Sequence, residues 1–289
     1  MKIDRFIDCK NELGEGPVWC PIEEKLWWID ISNPHLFCAD RNGQVISDWL
    51  LPKPPGSFAI REDGTLYITF RSGPALFKPK SGEITFLSVP SLDLGDTRFN
   101  DGKTDRKGRF WAGTMDKKVE RSIGALYRFD GLTLLKKVDQ GFTISNGIGW
   151  SPDNKTMYFA DTPSRSIISY DYDLDTGNIC NKKLFVQCDA GQGGPDGLTV
   201  DSEGGVWSVQ FDRWCINRYD KSGKLSQVVE LPVQRPTSAV FGGENFQTLF
   251  VTTATMHLNA LELNNQPLAG AVLSFDPGYG GLPEHRLSF

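Results

Sequence analysis

No stretch of a dozen residues in this chain carries apolar side chains at the i, i+3, i+4 and i+7 positions of one helix face, which excludes an architecture built on amphipathic helices. No apolar run approaches the length of a membrane span. The N-terminal MKIDRFIDCKNELGEGP lacks the apolar core of a secretory signal, so a cytoplasmic location with no membrane partner is expected. No basic run interrupts a net charge of −5 spread along the chain, which argues against a nucleic-acid partner. The six cysteines form no C-x-x-C pair and are expected as free thiols. Only three histidines occur, His35, His257 and His285, and they do not cluster. His35 and His285 are read as solvent-facing, and His257 as a residue that could overhang a pocket. There is no G-x-S-x-G, so Ser-His-Asp catalysis has no support. The glycine-rich GQGGPDG lacks the helix that a phosphate-binding loop needs.

What is present is β-forming and turn-forming. The chain holds 30 Gly, 17 Pro, 18 Phe, 8 Trp and 7 Tyr in 289 residues. Short runs of β-branched and aromatic residues are separated by D-G, N-G, S-G and P-D turns, an all-β pattern. One unit recurs six times: a turn, an apolar residue, then an aromatic. The copies are EEKLWWID, EDGTLYIT, RKGRFWAG, DNKTMYFA, SEGGVWSV and NFQTLFVT. Each is followed by a strand, a polar turn and another strand. Six periods of about four short strands fill the chain, the pattern of a six-bladed β-propeller with breaks near residues 50, 90, 140, 190 and 235. A β-sandwich would also show short strands, but nothing in it requires six copies of one unit. The opening KIDRFID is expected to close the ring by pairing into the last blade beside EHRLSF.

In a propeller the start of each blade's innermost strand lines one mouth of the central channel. Counting back from the leading aromatics places Glu15, Gly56, Asn100, Asn146, Asp196 and Thr237 at that point. Four of the six carry a carboxylate or amide oxygen. Each taken alone reads as a turn former, since Asn-Gly and Asp-Gly are common turn pairs. Four at one repeat phase read as a converging set. Converging carboxylates repel and lose solvation, and a bound cation compensates both. All the donors are oxygens, which favours one hard divalent ion, Ca²⁺, Mg²⁺ or Mn²⁺, over a thiolate zinc site. Fe²⁺ or Zn²⁺ on carboxylate and amide ligands is compatible too.

The segments LGEGPVW, RFNDGKTD…GRFWAGTM, ISNGIGWSPD…YFADT and PDGLTVDSEGGVW, in this order, resemble the SMP-30/regucalcin/gluconolactonase family, to which bacterial xylonolactonase also belongs. The resemblance implies a six-bladed propeller that hydrolyses sugar-acid lactones with one divalent metal. It implies Glu15, Asn146 and Asp196 as metal ligands, Asp196 also as general base, and Arg98 and Asn100 as substrate contacts. One departure stands out. Family members like regucalcin carry an acidic residue shortly after the GTM motif; here Gly113-Thr114-Met115 is followed by Asp116, Lys117 and Lys118, and counting puts a lysine there. Asp101 is read as a loop-holding residue that caps backbone N–H groups.

The expected reaction is opening of an aldonolactone to the sugar acid, with a small-molecule sugar lactone as partner. Two other classes remain at this point. One is a metal-dependent esterase or phosphotriesterase on the same fold, and the other a non-catalytic propeller that binds calcium or docks a protein.

Overall fold

In the computed structural model, which describes residues 1–191 and 193–289, the chain forms six four-stranded antiparallel sheets. Gln192, inside GQGGPDG, lies outside the described residues. The first strands of the six blades are Gly14–Cys20, Pro55–Ile60, Thr97–Thr104, Ser145–Trp150, Gly194–Val200 and Pro236–Gly242. These strands pack on one another around the axis, while the fourth strands, such as Val45–Leu50 and Asn178–Gln187, are largely exposed. Among the described residues, helix is confined to one short segment, Ala260–Asn265, and a 3₁₀ turn.

The six recurring aromatics sit in the second strands and are all buried: Trp27, Tyr67, Trp111, Tyr158, Trp207 and Phe250. Their environment shows why a propeller needs them. The apolar side chains form six separate clusters, one in each gap between adjacent blades. Trp27, Ile29, Phe58 and Phe70 fill the gap between blades 1 and 2, and Trp111, Trp150 and Phe159 that between blades 3 and 4. Ile7, Trp19, Trp28 and Phe250 fill the gap between blades 6 and 1. No apolar plug is therefore required on the axis, which is left free for polar groups.

Two turn carboxylates tie this packing to the chain. Buried Asp105 accepts from the Trp111 indole N–H at 2.9 Å and from Arg109 Nε at 2.8 Å. Buried Asp201 accepts from Trp207 at 2.8 Å and from Arg218 Nε at 2.7 Å. An ionised carboxylate with several good donors is a low-energy buried group.

The sixth blade departs from the sequence reading in one respect. Its outer strand is Asp4–Ile7, but this strand pairs with Val272–Phe275, not with EHRLSF. Residues 284–289 form no blade strand. They cross the end of the channel opposite the mouth. Gly281 N–H donates to the Phe246 carbonyl, Leu287 N–H to Ile60, and Ser288 N–H to Gly108. Leu287 is fully buried between blades 2 and 3, and Glu284 pairs with Lys103 of the channel wall at 2.8 Å. The alternation that suggests a strand in EHRLSF instead serves a segment whose apolar residues plug a gap.

Candidate active site

The residues singled out by repeat phase lie where every inner strand breaks its register. The pairing with the second strand shifts between Glu15 and Val18, Pro55 and Ser57, Phe99 and Gly102, Ser145 and Ile148, Pro195 and Leu198, and Pro236 and Ser238. Each break adds one residue to the inner strand, a β-bulge. A bulge re-aims side chains that a regular strand would alternate between faces. Asn146-Gly147 and Asp196-Gly197 are thus strand interior and not turns. Their glycines are required by close approach: a Cβ on Gly147 would lie 2.6 Å from the Asp196 carbonyl oxygen, and one on Gly197 2.5 Å from the Ser238 Cβ.

Carboxylates at the ends of the second strands hold the chain entering these bulges. Asp30 accepts from the N–H groups of Glu12 at 2.7 Å and Leu13 at 3.1 Å, just before Glu15. Asp161 accepts from Ile144 N–H at 3.0 Å, two residues before Asn146. These supports were not recognised in the sequence; their signal is an Asp three residues after the leading aromatic in WWID and YFAD.

Arg98, Asn100 and Asn146 belong to one hydrogen-bond chain. Arg98 Nη1 donates to Asn100 Oδ1 at 3.3 Å and to the Phe99 carbonyl at 3.2 Å. Asn100 Nδ2 donates to Asn146 Oδ1 at 2.8 Å and to the Ser145 carbonyl at 3.0 Å. Asn146 Nδ2 donates to Thr162 Oγ1 at 2.8 Å, and Thr162 donates to the Pro195 carbonyl at 2.7 Å. The chain runs from blade 3 through blade 4 to blade 5 and ends one residue from Asp196.

Glu15 and Asp196 are buried, and their carboxyls are held well above the usual range. Burial is the main cause for both; the charges of Asp196 and Asp101 add to it for Glu15, and that of Asp101 for Asp196. Asp101, pushed up to about 6 by burial, accepts from Gly102 N–H at 2.7 Å, the capping role expected of it. Its charge also makes it part of the acidic mouth, which the sequence reading missed. Asp196 Oδ1 is buried without a hydrogen-bond partner, an arrangement that is unfavourable unless something else neutralises it.

This orphaned oxygen beside a second buried carboxylate and an amide oxygen fits a hard cation. Among the described residues no group of three His, Cys, Asp or Glu side chains could hold a metal, so an ion here would need a neutral donor besides the carboxylates, such as the Asn146 amide oxygen. Thr237 and Gly56 contribute nothing to it: Thr237 Oγ1 donates to the Gly14 carbonyl at 2.5 Å, and Gly56 leaves room for Phe99 and Asn100.

Below the mouth lies a cavity of about 40 Å³ lined by Gly16, Asp101, Lys103, Ser238, Glu284 and His285, with room for a few waters. His285 thus faces the channel, a correction to its reading as a solvent-facing strand residue; it is there because the tail, not a strand, carries it. His257 is exposed, in a left-handed backbone conformation, beyond the second strand of blade 6. Asp116 is taken up by Arg121 at 3.0 Å, and Lys117 Nζ donates to the Gly95 carbonyl at 2.7 Å. All six cysteines are free, as expected. No helix of the described residues is long and apolar enough to cross a membrane.

The comparisons with known proteins agree with the propeller fold. Regucalcin of Gallus gallus is 34% identical over 99% of this chain and 98% of its own length. The 6-deoxy-6-sulfogluconolactonase of Pseudomonas putida is 35% identical over 91% of this chain and 90% of its own. A calcium-binding regucalcin from Agrobacterium tumefaciens superposes with a TM-score of 0.90 at 27% identity, over 97% of this chain and 95% of that one. The family model described as the SMP-30/Gluconolactonase/LRE-like region matches residues 13–255, and the chain belongs to that family.

Proposed function

We propose that the protein is a metal-dependent lactonase that opens an aldonolactone to the free sugar acid. The observation that carries this reading is the unpartnered, buried Oδ1 of Asp196, facing an acidic mouth at the phase where the blades converge. A relative named for a gluconolactone-type substrate supports it.

Glu15, Asn146 and Asp196 would hold the ion, with waters in its remaining positions. A divalent ion there supplies Lewis acidity toward the lactone carbonyl and the oxyanion that develops on it. Asp196 accepts the proton of the attacking water as the water oxygen bonds to the carbonyl carbon. The ring C–O bond then breaks, and the proton passes to the departing ring oxygen, leaving carboxylic acid and hydroxyl on one open chain. Arg98 and Asn100 hold the polar groups of the substrate. Their mutual hydrogen bond limits their freedom before substrate arrives, which lowers the entropy lost in positioning it.

The test is a panel of aldonolactones assayed on metal-stripped protein with single divalent ions restored. Hydrolysis that returns with one or more ions supports the proposal. Equal rates with and without metal, or turnover of aryl esters or organophosphates exceeding that of every lactone, would sink it.

A further inference from the structure

The rim of the mouth at blades 2 and 3 holds more positive charge than a neutral sugar requires. Arg98 is half-buried, and its recorded partners are two neutral oxygens, one of them the carbonyl of the next residue. Arg71 sits in the turn between the second and third strands of blade 2, anchored by its N–H to the Pro54 carbonyl at 3.3 Å, beside the bulge at Gly56. Gly56 in turn packs on the backbone of Phe99 and Asn100, which brings this turn against the Arg98 strand. Burial first, and then the charge of Arg71, pulls the Arg98 pKa down to about 10, still leaving it charged at neutral pH.

The nearby acids are already committed. Asp96 and Asp116 both pair with Arg121, at 2.9 and 3.0 Å. Neighbouring Lys53 donates to Ser72 and adds positive charge to the same rim. After Met115 come Asp116, already held by Arg121, and then Lys117 and Lys118, which add no negative charge. Two guanidiniums at one rim, neither of them in an ion pair among the described residues, form an unfilled anion site, since the oxygens of one anion can bridge both.

We infer that Arg71 and Arg98 bind an acidic group at the far end of the substrate, so that the preferred lactone carries a second, anionic substituent: a carboxylate, phosphate or sulfonate. This rests on the lactonase reading and specifies its substrate class. The position fits. Blade 2 faces blade 5 across a six-bladed ring, so an anion held by Arg71 lies across the mouth from Asp196. A substrate spanning the two presents its carbonyl to Asp196 and its far carbon to the arginines. A neutral hydroxyl at that carbon would leave most of the donors on both guanidiniums unused.

The experiment measures kcat/KM of the metal-loaded protein for gluconolactone and for gluconolactones bearing a carboxylate, phosphate or sulfonate at carbon 6. The same substrates are tested on Arg71→Gln and Arg71→Lys. The wild type should prefer at least one anionic lactone over the neutral one, and the three arms identify which acid. Arg71→Gln should lower that preference by about tenfold or more, the scale of a charge-assisted hydrogen bond. Arg71→Lys should retain part of it. A wild type that prefers the neutral lactone, or a preference unchanged in Arg71→Gln, overturns the inference. Calorimetric binding of the ring-opened acids, with and without the second charge, gives a readout free of turnover. Tighter binding of the dianion that is lost in Arg71→Gln would support the anion site even if no lactone were hydrolysed. Hydrolysis of all lactones without charge preference would leave the lactonase reading standing and remove the anion site.

Discussion

Asn100 Nδ2 donates to Asn146 Oδ1 at 2.8 Å, joining a proposed substrate contact on blade 3 to a proposed metal ligand on blade 4. Because Asn146 Nδ2 is committed to Thr162, the Asn146 amide has one orientation, with its oxygen toward Asn100 and the mouth. Substrate binding and metal binding should therefore not be separable at Asn100. Asn100→Ala should weaken metal affinity by about tenfold to a hundredfold, the usual range for a residue supporting a ligand, besides raising KM. Titration of stripped protein with metal, followed calorimetrically, measures it; wild-type affinity in the variant would break the link.

Asp196→Asn separates ligation from base catalysis. It keeps an oxygen donor and loses the basic carboxylate, so at saturating metal the rate should fall by about a hundredfold or more. Arg98→Ala should instead leave metal content intact while kcat/KM drops. Spontaneous lactone hydrolysis must be subtracted at each pH. Near wild-type turnover of metal-saturated Asp196→Asn would move the base elsewhere.

The metal-free protein should lose stability as pH rises through the weakly acidic range. Glu15, Asp101 and Asp196 all bind protons more tightly when folded than when unfolded, because burial and mutual repulsion disfavour their charged forms. Between about pH 4, the unfolded value, and the raised folded values, about 6 for Asp101, the folded state holds the extra protons. Stability contributed by protonation is thus complete below the window and lost on passing up through it. Asp101→Asn should melt higher than wild type without metal, by a margin that widens with pH across that window, and saturating metal should shrink the margin. Melting curves that stay parallel for the two proteins would contradict the coupling.

Leu287→Ala removes a fully buried side chain from the gap between blades 2 and 3. It should cost about 2–5 kcal/mol, the scale for core leucines, seen as a lower Tm and denaturation midpoint. A shift within error would mean that the crossing segment does not hold the ring.

The propeller was legible because its repeat is dictated by packing. Each interblade gap needs one large aromatic in the second strand, so Trp111 and Trp207 recur with the same turn before them. The mouth was legible by phase for the same reason. What was missed has a different origin. Asp101 follows Asn100 in the bulge, and the added residue directs two neighbouring side chains to one opening, which strand alternation does not anticipate. Asn146-Gly147 resembles a turn because the demand on that glycine comes from blade 5, which is distant in sequence. The final EHRLSF alternates like a strand; only the three-dimensional positions of Ile60 and Gly108 make it a crossing segment.

The pairing of Asp4 with Ser274 also sets a timetable for the growing chain. The partners are about 270 residues apart, and at roughly 5–20 residues per second of synthesis the first waits on the order of ten seconds to a minute for the second. Until then Trp19 and Trp28 have no Phe250 to pack against, and the nascent chain is an open arc with an uncovered apolar end. The last blade is the lock of the ring, and the interval before it closes is when a chaperone, or an aggregate, can reach the chain.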